Sequence, residues 1–173
     1  MGYIGNSPAL NESVGAAQLA STAMSSFTGQ YPNGHIVQIQ WMSDTTEVGH
    51  TGSYASTNLT DVITPTDANN DILVILACSY RTAYSSADGR GRFKLERAIS
   101  GGATTDVLTT GDATVKGEGE GTDIYSEWTL NFLDAPATAS AITYTLYGLE
   151  VGGAFTTGAT QYSSMTLMEV AAT

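Results

Sequence analysis

A chain of 173 residues has room for one domain with a core of normal size and a short appendage. Six Lys and Arg against seventeen Asp and Glu give a formal charge of −11, which argues against sequence-independent nucleic-acid binding and against docking on anionic membranes. Charged residues make up only 13% of the chain, about half the usual share. Thr, Ser, Gly and Asn fill the gap, and β-branched Thr suits exposed strands.

The opening, MGYIGNSPALNESVGAAQLASTAMSS, carries one acid and no base. It lacks the basic region and long apolar core of a signal peptide, and no apolar run along the chain reaches membrane-spanning length. Synthesis in a cytoplasm without membrane insertion is expected. Leu10, Val14, Ala17, Ser21 and Met24 fall at helix-like spacing behind Asn11 in an N-cap position, but Gly15 and the many small side chains weaken the pattern. Residues 1–33 therefore read as an extended or weakly helical arm that needs a partner to order it. Its tip is a compact apolar hook, Tyr3 and Ile4 before a Gly5, Asn6, Ser7, Pro8 turn, and Tyr3, Ile4, Gly5, Asn6 and Pro8 are the candidate attachment residues.

YPNG is a turn, and the alternation of HIVQIQWM predicts a half-buried strand with Val37, Ile39 and Trp41 on one face and Gln38, Gln40 and Met42 on the other. A polar stretch leads to a short strand, NLTDVITPT, broken by Pro65, and DANN turns the chain. DILVILACSY is a continuous apolar run, read as a strand buried on both faces, with Cys78 as a small core residue. SYRTAY and GRFKLERAI flank an Asp-Gly turn like the arms of a hairpin or short loop. The Gly-punctuated stretch from Ser100 to Gly121 predicts one or two exposed strands. Trp128, Leu130 and Phe132 alternate in one strand, and Ile142, Tyr144 and Leu146 oppose Thr143, Thr145 and Tyr147 in the next. A Gly-rich break precedes a last strand, SSMTLMEV. About eight strands with no repeat period and no amphipathic helix after residue 30 predict an all-β fold: a jelly-roll-like antiparallel β-sandwich over residues 34–173.

Few residues suggest chemistry. His35 and His50 flank the first strand without metal-ligand spacing and are expected at exposed or edge positions. No GxSxG turn marks a nucleophile. Glu118, Glu120, Asp123 and Glu127 form an acidic, Gly-rich stretch that reads first as a solvated loop, with Glu118, Glu120 and Asp123 as a weak calcium candidate and catalysis the least favoured option. No cofactor is expected. All the early cations crowd into Arg81, Arg90, Arg92, Lys94 and Arg97, a solvated hairpin with neutralising charges or, on a second reading, a contact to an acidic neighbouring subunit through Arg81, Arg90, Arg92 and Arg97. Nine Tyr suit sheet-surface packing, and after it a glycan platform; of Tyr144 and Tyr147 at least one should face outward. The stretches 44–58, 100–121 and 151–162 are the best-placed binding loops.

Four blocks in order, GHIVQIQW, LTDVITPTDANNDILVILACSYR, WTLNFLDAPATASAITYTLYG and SSMTLMEV, resemble small β domains of tail-fibre and other virion-surface proteins of tailed bacteriophages, notably marine and cyanobacterial ones. GYIGNSP is similar to short segments that head many tail-fibre chains. The resemblance implies a homotrimer of jelly-roll-like subunits, a location in the virion with other tail or capsid proteins as partners, and no catalytic motif. It raises a short tail fibre with host-surface recognition, then a capsid decoration or head-fibre protein; a glycan-binding or glycan-cleaving module is the alternative from a different class.

Overall fold

The computed structural model describes residues 33–83, 89–110, 115–117, 123–158 and 162–172. The chain divides into two units, Met1–Pro32 and Asn33–Thr173, and every described residue belongs to the second. The candidate attachment residues, the weak helix and Glu118 and Glu120 lie outside the described residues.

Eleven strands are described: β1 (Ile36–Asp44), β2 (Val48–Gly49), β3 (Ala55–Ile63), β4 (Asp71–Ala83), β5 (Gly89–Ile99), β6 (Thr104–Thr109), β7 (Val115–Gly117), β8 (Ile124–Asp134), β9 (Ile142–Gly152), β10 (Ala154–Thr157) and β11 (Ser163–Val170). They form two antiparallel sheets. In the first, β1 pairs with β11, β11 with β4 and β4 with β8, while β10 and β2 extend the β11 and β1 positions. In the second, β3 pairs with β9, β9 with β5 and β5 with β6 and β7. Counting β1, β3, β4, β5, β6, β8, β9 and β11 as the eight principal strands, the sheets run 1-8-3-6 and 2-7-4-5. That is the double Greek-key order of a jelly roll, as the sequence leads one to expect.

The core lies between the sheets. Ile72, Val74, Leu76 and Cys78 of β4 and Met165 and Leu167 of β11 face Leu59 and Ile63 of β3, Phe93 and Leu95 of β5, and Ile142, Tyr144 and Leu146 of β9. Trp128, Leu130 and Phe132 close the β8 side, with the Trp128 ring stacked on Phe93 at 4.5 Å between centroids. Phe155 of β10 meets Phe93 edge-on at 5.6 Å, so aromatic rings fill one end of the sandwich.

Four local readings are corrected. β4 is not buried on both faces: its even-numbered side chains are fully buried while Leu73, Ile75 and Ala77 are half-buried on the outer face. Of the hairpin and the short loop expected between SYRTAY and GRFKLERAI, the hairpin is excluded, because β4 and β5 belong to different sheets. The Gly-rich break contains a strand of its own, β10, which pairs with Tyr80–Ala83 of β4. β1 has the opposite sidedness to that expected, with Ile39 and Trp41 outward and Met42 packed on the core.

Candidate interaction surfaces

Side chains directly opposed in an antiparallel pair project from the same face. On the outer face of the first sheet, Ile39 therefore lies in one row with Met168, Leu73 and Leu133. Trp41 lies in the next row with Thr166, Ile75 and Asn131, and Ile36 stands beside Val170. Trp41 is 65% exposed, Leu133 56% and Ile39 54%. Gln38 of β1 turns inward because a buried carboxylate requires it. Glu169 of β11, fully buried, accepts from the Gln38 amide at 2.6 Å, the Asn70 amide at 2.6 Å, and the Thr66 backbone N–H and hydroxyl at 2.7 Å each. Burial alone would raise the Glu169 pKa, but these donors outweigh it and hold the carboxyl below its ordinary value. The same set pins the β3–β4 turn to β1 and β11.

The outer face of the second sheet differs in character. Lys94 of β5 sits between two carboxylates, Glu96 at 3.1 Å and Asp106 at 3.0 Å. Its ammonium also lies 5.3 Å from the Tyr54 ring centroid and 4.9 Å from that of Tyr147, whose hydroxyl donates to Glu96. Tyr147 does face outward, and Tyr144 is in the core.

The cationic segment is answered largely within the chain. Arg97 donates to both oxygens of Asp134 at 2.8 Å, and the Tyr144 hydroxyl donates to the same carboxylate at 2.6 Å. Arg81 contacts Glu47 at 3.0 Å and Asp123 at 3.4 Å on the surface. Arg90 and Arg92 are half-buried on β5 and also have partners. Arg81, Lys94 and Arg97 thus each meet carboxylates of their own chain. Asp123, the described member of the calcium candidate, faces Arg81. Among the described residues no three His, Cys, Asp or Glu side chains gather at a metal-like site.

His50 is the other correction. It is 5% exposed rather than at an edge, packed on Phe155 at 5.2 Å between ring centroids and bonded through Nε2 to the buried Thr157 hydroxyl at 2.8 Å. Burial lowers its pKa to about 4. Space for the ring exists because residue 148 is glycine: a Cβ there would meet the imidazole at 2.7 Å. Neither Gly148 nor Thr157 is near His50 in sequence, so spacing carried no sign of this pocket. His35 is exposed, as expected.

The apolar outer face was missed as well, although one signal was present. A strand such as β4, apolar on both faces, needs apolar neighbours on its outer side, and Ile39, Met168 and Leu133 are those neighbours.

No protein-family model matches the chain, and no curated protein does. Among solved structures it is similar to the VP2 subviral particle of infectious bursal disease virus at 15% identity and a TM-score of 0.41, covering 78% of this chain and 37% of that one. It is also similar to the CBM22-1 xylan-binding domain of Paenibacillus barcinonensis Xyn10C at 13% identity and a TM-score of 0.33, covering 83% of this chain and 99% of that one. The chain thus spans little more than a third of the VP2 chain. No helix among the described residues is long and apolar enough to cross a membrane.

Proposed function

We propose that this chain is a non-enzymatic structural protein of a bacteriophage virion, a short tail-fibre or fibre-like component. Residues 1–33 would attach it and the jelly roll would stand exposed as a trimeric head, with host-surface recognition as its use. The observation that carries this reading is the apolar outer face built on Ile39, Trp41, Leu73 and Leu133. A surface of this kind on a soluble jelly roll is suited to being covered in an assembly. The four sequence blocks that resemble virion-surface domains of tailed phages support the same setting. The buried titratable groups described above are engaged in holding the sheets together, which fits a structural role.

The runner-up is a capsid decoration or head-fibre protein, which uses the same head and the same arm at a different place on the particle. A glycan-binding role would draw on the Tyr54, Tyr147 and Glu96 cluster, since Tyr and carboxylate suit sugar hydroxyls and ring faces. Removal of residues 2–26 tests the attachment reading: the truncated head stays folded and soluble but no longer enters particles. Normal incorporation of the truncated chain would count against it. Release of sugars from host polysaccharide by the purified protein would overturn the non-enzymatic reading.

A further inference from the structure

We infer that the outer face of the β1-β11-β4-β8 sheet is the surface on which a second copy of this chain sits, an inference that rests on the structural-protein reading and names the partner of its apolar face. Eight large hydrophobic residues are exposed among those described, and four of them, Ile36, Ile39, Trp41 and Leu133, cluster on one part of this face. The half-buried Met168, Val170, Leu73 and Ile75 join them into a continuous patch.

Charge singles out a copy of the same chain as the occupant. The outward side chains across Ile36–Trp41, Thr166–Val170, Asp71–Ile75 and Asn131–Leu133 include one ionised group, Asp71. Two copies carrying −11 each repel over most of their surfaces, and this face is where that repulsion is weakest. A cationic partner would find little here to recognise and would be drawn to the acids elsewhere.

Size sets the strength. Four strands about 4.8 Å apart and about six residues long, at roughly 3.3 Å per residue, make a footprint on the order of 400 Å². A standard stable interface takes about 800 Å² per partner. The contact is therefore reversible, with its midpoint in the micromolar range, and becomes permanent when an assembly holds the copies at high local concentration.

Sedimentation velocity of the full chain over a micromolar concentration series tests this, with Trp41→Glu and Leu133→Glu as disrupting variants. Val62→Glu is the control, since Val62 is 47% exposed but lies in the other sheet. The wild type and Val62→Glu should associate with rising concentration, and the two face variants should need at least about tenfold more protein to do so. In the wild type itself, oxidative footprinting should show Trp41 and Met168 becoming protected as concentration rises. A wild type that stays monomeric throughout would overturn the inference, as would face variants that associate like the wild type. Presence in purified particles is read separately, so a chain that self-associates through this face yet is missing from particles would sink the virion reading and leave this one standing.

Discussion

Arg97 of β5 and Asp134 at the end of β8 form an ion pair in which one guanidinium nitrogen reaches both carboxylate oxygens at 2.8 Å. The pair ties the two sheets together, and Tyr144 of β9 completes it from the second sheet. Side-chain exposures of 15% and 8% place it largely out of water, where removing one partner strands the other. Asp134→Ala should therefore cost about 3–5 kcal/mol in urea denaturation. Tyr144→Phe, which removes one bond to a charged acceptor, should cost roughly 1.5–3 kcal/mol. An Asp134→Ala protein within about 1 kcal/mol of wild type would show that the pair is not a clamp.

Acid should weaken the fold through two groups. The His50 pKa falls from 6.5 to about 4 in the folded protein, so the neutral ring contributes stability that is complete above 6.5 and is lost as pH falls through 4. Glu169 is also depressed, and its contribution is present above the ordinary carboxylate value and lost as pH drops below it. The His50 contribution is on the order of 3 kcal/mol. His50→Gln should flatten the stability curve between pH 6.5 and 4 and leave the steeper fall at lower pH. Parallel curves for the two proteins across that window would contradict the assignment.

Gly148 should tolerate no side chain while His50 is present. A Cβ at 2.7 Å from the imidazole has no easy relief, because the ring is held by Thr157 and packed on Phe155. Gly148→Ala should lose about 1–3 kcal/mol. In a double-mutant cycle with His50→Ala most of that loss should disappear. Strict additivity would place the clash elsewhere.

Cys78 should be chemically silent in the native state. It is fully buried, and burial pushes its thiol up to about 12. A thiol-reactive chromophore should label it only as fast as the protein unfolds. Rapid labelling of the folded chain would mean that the β4 face of the core opens locally.

The strands that carry the core were legible because alternation reports a two-residue period, and Trp128, Leu130 and Phe132, like Ile142, Tyr144 and Leu146, point inward as their pattern indicates. Alternation does not report its sign. In β1 the apolar set faces out because Met42 and the Gln38 amide are needed inside, the latter by a carboxylate at the far end of the sequence. The strand β10 was hidden by its flanking glycines. That β4 and β5 enter different sheets was hidden, because an Asp-Gly pair in the sequence signals a change of direction but not which sheet the chain enters next. The apolar face has no motif at all, since it is assembled from alternate residues of four strands distant in sequence.

The central claim is that this jelly roll is a virion component whose apolar face is covered in the assembled particle. Cryo-electron microscopy of particles purified from the natural source of this chain, with mass spectrometry for copy number, tests that claim most directly. The account predicts a stoichiometric component at the tail, with the Ile39, Trp41 and Leu133 face buried against a neighbouring copy. Absence of the chain from purified particles, or its presence with that face open to solvent, would contradict it.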